Sequence, residues 1–119
     1  MKKVLVVDDS DTVRQQVRQA LVPAGYDVLE AADGLAGLDT LRDNRDLAVV
    51  LCDVNMPRMN GLEMVASAQS EGLVTPIIML TSEGQPSLIR KARGFGAKGW
   101  IVKPFKVELL VAAIGKVTA

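Results

Sequence analysis

The chain has 119 residues, 49% hydrophobic and 24% charged, with 14 basic and 14 acidic side chains, one cysteine and no histidine. That length suits one domain, residues 1–119, which can bury roughly two-thirds of its unfolded surface without a disulfide or structural metal. The missing histidine excludes Ser-His-Asp and Cys-His catalysis, His-ligated zinc or haem, and an internal phosphohistidine. Any chemistry here must use carboxylates, hydroxyls and lysines.

The chain opens with Met1-Lys2-Lys3 and the apolar run VLVV, which is too short for a signal peptide and is broken at once by acids. With no apolar stretch long enough to span a bilayer, and one unpaired cysteine, a reducing cytoplasm is the expected location. Lys3–Val7 is predicted as a strand, and it ends on Asp8, Asp9 and, two residues on, Asp11. Val13, Val17, Ala20 and Leu21 then share a helical face, which Pro23-Ala24-Gly25 terminates. A second strand is expected at Val28–Ala31. Asp33-Gly34 introduces a helix carrying Leu35, Leu38 and Leu41.

The third strand, Ala48–Cys52, holds the cysteine as a small apolar residue and runs into Asp53. Gly61 opens a helix with Leu62, Val65 and Ala66 on one side. Ile77–Leu80 is the fourth strand, followed by Thr81 and Ser82, and Leu88, Ala92 and Phe95 mark the fourth helix. Trp100–Val102 is the fifth strand, followed by Lys103-Pro104, and Val107, Leu110, Val111, Ile114 and Val117 mark the last helix. The strands are aliphatic throughout, as in a parallel sheet covered on both faces. Five βα units with right-handed crossovers make an open α/β sheet, and ligands of such sheets bind beyond the carboxyl ends of the strands.

Those ends carry Asp8 and Asp9, Asp53, Thr81 and Lys103. If the first and third strands are neighbours, three carboxylates converge and repel one another. A hard divalent cation resolves this. Mg2+ takes oxygen ligands and is commonly held by one or two carboxylates, waters and phosphate oxygens. A carboxylate can also serve as nucleophile and form an aspartyl-phosphate. Transfer of the phosphoryl group needs positioning and charge neutralisation, which a metal, Lys103 and the Thr81 hydroxyl supply.

The series VLVVDDSD, LCDVNMPRMNG, IIMLTSEG and GWIVKPF closely resembles the receiver domain of two-component response regulators, over the whole chain from Lys2. The likeness is greatest to the stand-alone, chemotaxis-type (CheY-like) form. It implies a flavodoxin-like (βα)5 three-layer sandwich with parallel strand order 2-1-3-4-5, an order for which CheY is a standing example. It implies Asp53 as phosphoacceptor, Asp9 as a direct Mg2+ ligand and Asp8 as a water-mediated one. Asp53 itself and the backbone carbonyl of Asn55 complete the metal set, with Mn2+ as the alternative ion. Thr81 and Lys103 would bind the phosphoryl oxygens. Thr81 and Trp100 would form the switch, and Asn55 and Glu83 would tune dephosphorylation. Lys103-Pro104 would be a cis peptide. Departures from the family pattern are Asn60 in place of Asp, Ser82 in place of Ala, and Trp100 in place of Tyr or Phe.

Charge is unevenly spread. Residues 1–83 carry 7 Lys/Arg against 13 Asp/Glu, whereas residues 84–119 carry 7 Lys/Arg against Glu108 alone. The basic segment covers helix 4, strand 5 and helix 5, the surface that the resemblance makes the output face, so an acidic partner is expected there. The implied phosphodonor is a histidine kinase or phosphotransfer protein; neither nucleic acid nor membrane is expected as a partner. The implied role is a phosphorylation-activated signalling protein of chemotaxis, and not an enzyme beyond its own phosphorylation and dephosphorylation. The alternative is a phosphatase or phosphotransferase of the haloacid-dehalogenase type. That class usually carries DxD after strand 1 and a cap domain, which Asp8-Asp9 and this length do not match. A flavodoxin-like FMN binder is disfavoured by the four aromatic residues and the absence of a Ser/Thr-rich first loop. GFGAKG at residues 94–99 fits GxGxxG, but it stands between a helix and a strand, the reverse of a dinucleotide site. Gly94 and Gly96 are expected to end helix 4.

Overall fold

A computed structural model describes residues 1–118. Five strands, β1 (Lys3–Val7), β2 (Asp27–Ala31), β3 (Val49–Cys52), β4 (Ile77–Thr81) and β5 (Gly99–Val102), alternate with five helices. These are α1 (Asp11–Leu21), α2 (Gly34–Asp43), α3 (Gly61–Ser70), α4 (Pro86–Gly94) and α5 (Val107–Thr118). All strand pairs are parallel, in the order β2-β1-β3-β4-β5, the flavodoxin-like arrangement expected from the sequence.

The sheet divides the core in two. Val4, Val6, Val49, Leu51, Ile78 and Leu80 point toward α1 and α5, where Val17, Leu21, Leu110 and Ile114 meet them. Leu5, Val7, Val50, Cys52, Ile77 and Met79 point to the other face, under Leu38, Leu41, Met64, Val65 and Ala92. With both faces covered, alternate residues are equally apolar, which is why no strand alternates with polar residues.

Several expected boundaries and faces shift. β2 begins at Asp27, which pairs with Lys3, and β5 begins at Gly99, opposite Ile78, because pairing rather than hydrophobicity sets strand ends. β3 starts at Val49, not Ala48, and β4 runs one residue further, to Thr81. In α2 the buried stripe is Gly34, Gly37, Leu38 and Leu41, leaving Leu35 on the surface. In α3 it is Gly61, Met64, Val65 and Ala68, with Leu62 and Ala66 only half-buried. Small residues bring these helices close to their neighbours, Gly37 against Val7, Gly61 against the Asp53 carbonyl and Gly34 against Met59, so each buried face is centred on glycines beside its large apolar residues. Gly96 (φ 105°), one residue past the Phe95 cap, is the left-handed terminator of α4, whereas Gly94 lies inside the helix.

The helix starts follow side-chain capping. Ser10 caps α1 by accepting from the Val13 amide, and Asp11 sits exposed in the first turn. Asn60, the departure from Asp, caps α3 and forms a capping box with Glu63. The GxGxxG run joins α4 to β5, with no glycine-rich entry to a helix.

Candidate functional site

The site follows from strand register. Val7 of β1 lies opposite Cys52 of β3, and the Asp53 amide continues the ladder to the Val7 carbonyl at 3.0 Å. Asp8 and Asp53, the next residues on each strand, therefore stand side by side. On the other side of β3, Thr81 ends β4, and the Lys103 amide donates to the Thr81 carbonyl at 2.8 Å. Lys103 is thereby aimed back across the strand ends.

Asp8 is 2% exposed and Asp53 8%, whereas Asp9 is open to solvent. Carboxylate oxygens of the three lie within 4.8 Å of one another. Lys103 Nζ stands 2.9 Å from Asp8 Oδ2 and 3.4 Å from Asp53 Oδ2. Burial pulls the Lys103 ammonium down, but the hydrogen bond and charge of Asp8, backed by Asp53, outweigh it and leave its pKa raised. The second oxygens are also held: Asp53 Oδ1 accepts from the Val54 amide at 2.7 Å and Asp8 Oδ1 from the Ser10 amide at 2.9 Å. Arg14 on α1 donates to the Asp8 backbone carbonyl.

Three carboxylates and one ammonium leave the cluster with two uncompensated negative charges. The donor set is all oxygen, compact and reached from solvent beside Asp9, which fits Mg2+ or Mn2+ and excludes a thiolate- or imidazole-preferring metal. Cys52 offers no ligand: its thiol is fully buried in β3, and burial pushes its pKa well above the usual range.

The flanking residues form a linked layer. Asn55 Nδ2 donates to Glu83 Oε1 at 2.9 Å, so the two expected tuning positions touch across the loops after β3 and β4. Thr81 is fully buried, and its hydroxyl accepts from the Glu83 amide at 3.3 Å. Trp100 is half-buried and donates its indole N–H to the Glu83 carbonyl at 2.8 Å. Thr81 and Trp100 are thus joined through the backbone of Glu83. The peptide between Lys103 and Pro104 is cis, as the resemblance implied. Ser82 is exposed, on the same rim as Lys103.

Residues 4–115 match the response regulator receiver domain family. The chain belongs to that family. A CheY homologue of Campylobacter jejuni is 43% identical over 111 residues, covering 91% of this chain and 85% of the relative. The Helicobacter pylori chemotaxis protein CheY1 is 42% identical, covering 91% and 90%. Among solved structures, Vibrio cholerae CheY4 superposes with a TM-score of 0.91 at 43% identity over 98% of both chains. The CheY of a CheX–CheY–BeF3–Mg complex from Borrelia burgdorferi superposes at 0.94 with 26% identity, covering 99% of this chain and 90% of that one. A receiver domain is a signalling domain rather than a catalytic enzyme, and the haloacid-dehalogenase alternative gives way to it. No helix among the described residues is long and apolar enough to cross a membrane.

Sequence reasoning found every strand-end residue but not its supports. Asp33, Gly34 and Arg58 were not read as parts of the site, although they brace the loop that carries Asn55. Asp33 Oδ1 and Oδ2 accept from Arg58 at 3.1 and 2.8 Å, and the Gly34 amide donates to the Met59 carbonyl at 3.1 Å. The only local signal was Asp33 as a helix cap.

Proposed function

We propose that this receiver takes a phosphoryl group from the phosphohistidine of a partner kinase or phosphotransfer protein onto Asp53, as a cytoplasmic signalling protein of the chemotaxis type. The observation that carries this is the convergence of Asp8, Asp9 and Asp53 within 4.8 Å, with Lys103 between two of them. An Asp53 carboxylate oxygen attacks phosphorus, the P–N bond to histidine breaks, and the imidazole leaves with its electron pair. Asp9 would hold Mg2+ directly, Asp8 through water, and Asp53 and the Asn55 carbonyl would complete its protein ligands. The metal supplies positive charge for the phosphoryl oxygens.

Lys103 turns from the carboxylates toward the new phosphate as a point charge. The Thr81 hydroxyl leaves the Glu83 amide to donate to a phosphoryl oxygen. Because Trp100 is tied to the Glu83 carbonyl, that movement reaches the surface of α4, β5 and α5. Asn55 and Glu83, bonded to each other over the site, set how readily water attacks the phosphate. The exposed Arg90, Lys91 and Arg93 of α4 give the output face its positive charge, so an acidic target fits it.

The test is to add Mg2+ and then a small phosphodonor, following Trp100 fluorescence beside intact mass in the parent and in Asp53→Asn. A mass gain and fluorescence change in the parent alone supports the assignment. No gain in the parent, or an equal gain in the variant, overturns it. Charge reversal at Arg90, Lys91 and Arg93 should weaken target binding without slowing phosphorylation.

A further inference from the structure

The loop from Asp53 to Asn60 carries both the phosphoacceptor and the Asn55 carbonyl, and one end of it is tightly pinned. Gly61 N donates to the Val54 carbonyl at 2.8 Å, closing the loop at its base. At the tip, the Met59 amide reaches back to the Pro57 carbonyl at 2.7 Å, around an Arg58 with φ of 65°. Three-residue turns of that hand are rare and strained, and a long side chain is an uncommon occupant of that region. Backbone strain of this kind persists only where the surroundings over-determine it.

The surroundings here come from α2. The Asp33 carboxylate caps α2 by accepting from the Ala36 amide at 2.9 Å, and the same carboxylate takes both arms of the Arg58 guanidinium. The Asp33 side chain is only 10% exposed, so the pair is anchored at its acidic end. Next to it, the Gly34 amide bonds the Met59 carbonyl, and a Cβ on Gly34 would fall 2.4 Å from that oxygen. The loop tip is therefore tied to the first turn of α2 on both sides of Met59, and nothing in that contact touches the carboxylate cluster. The Arg58 guanidinium, and then the Ala36 amide, hold the Asp33 carboxyl below its ordinary pKa, so the pair is charged at neutral pH.

We infer that the Asp33–Arg58 pair is a positioning latch for metal binding: it holds in one strained form the loop after β3, which carries Asp53 and the Asn55 carbonyl that the Mg2+ reading assigns as a ligand. The latch rests on the Mg2+ reading proposed above. Its function is to remove the alternatives open to a loop whose own turn is unfavourable, so the metal meets a preformed oxygen set. Partners that orient metal ligands from outside are commonly worth a tenfold or larger change in affinity.

The experiment is Mg2+ calorimetry and thermal melting on the full chain, comparing the parent with Arg58→Ala, Arg58→Gly, Arg58→Lys, Asp33→Asn and Asp9→Asn. Arg58→Ala and Asp33→Asn should each raise the Mg2+ Kd about tenfold, the double variant should be no worse than either alone, and Arg58→Lys should recover part of the loss. Arg58→Gly separates positioning from stability. Glycine relieves the left-handed residue, so its Tm should exceed that of Arg58→Ala, yet its Mg2+ affinity should stay low because the loop is freer. If the latch variants bind Mg2+ within about twofold of the parent while Asp9→Asn does not, the latch is wrong and the metal site stands. If the parent binds no Mg2+, or Asp9→Asn binds as well as the parent, the metal reading falls and the latch falls with it.

Discussion

Gly61→Ala adds a methyl group to the buried start of α3, and the structure sets its effect. The new carbon would stand 1.9 Å from the Asp53 carbonyl oxygen, 2.8 Å from its carbonyl carbon and 3.0 Å from Met79 Cε. A carbon–oxygen contact needs about 3.3 Å, so the backbone must yield by about 1.4 Å. The obstacle is main chain, not a side chain that can swing away, and the Gly61–Val54 hydrogen bond lies in the same place. Overpacking of this kind costs about 3 kcal/mol at its upper range, a fall in Tm of about 10 °C for a chain of this size. Phosphorylation should suffer beyond that, since the displaced carbonyl belongs to Asp53 itself. Gly115→Ala is the matched control. It lies inside α5 with nothing within 4 Å of the new carbon and no left-handed backbone, so it should gain about 0.5–1 kcal/mol. Thermal melting by circular dichroism reads both, and intact mass after a small phosphodonor reads the site. A Gly61→Ala protein that melts within about 2 °C of the parent and phosphorylates at the same rate would refute the steric reasoning.

Other consequences follow from the same geometry. Mg2+ at a hundred times its Kd should stabilise the parent by about 2.7 kcal/mol, raising Tm in a melting scan; EDTA should reverse the shift, and Asp9→Asn should abolish most of it. The folded pKa of Asp33 lies below its ordinary value of 3.8, so its contribution is complete above that value and disappears as pH falls through the folded one. The Tm gap between the parent and Asp33→Asn should therefore hold at neutral pH and close in acid; a gap unchanged at low pH would contradict the pairing. Leu51→Ala empties a fully buried position in β3 and should cost about 2–5 kcal/mol in urea unfolding, while the folded protein still binds Mg2+.

Much of the site was legible because its chemistry is carried by residues that make no sense as packing. Asp8 and Asp9 after VLVV, and Asp53 after a buried strand, are expensive to place there unless something uses their charge. Lys103 was legible from its place at the end of the fifth strand, on the rim where the carboxylates gather. The capping of α3 by Asn60 could be read from its position before Gly61, and the decoy glycines from the order of helix and strand. The faces of α2 and α3 were misjudged because Gly34, Gly37 and Gly61 bury themselves by closeness, which a search for large apolar residues does not see. Arg58 gave no signal at all. Its left-handed backbone and its bond to Asp33 join positions 25 residues apart, and neither residue is unusual for a loop.

The sequence by itself determined the five alternating units, the parallel sheet, the family and the chemical kinds present at the strand ends. Those are local or periodic properties, set by backbone preference and by which side chains must leave water. Tertiary structure decided what meets what. The adjacency of β1 and β3 brings Asp8 to Asp53, the crossing of Lys103 puts its ammonium between them, and Glu83 joins Thr81 to Trp100. Each depends on strand order, register and loop path, which are settled by packing both sheet faces at once. For the same reason, the acids at the end of β1 have two roles: Asp8 is buried against Lys103, and Asp9 stays open to solvent.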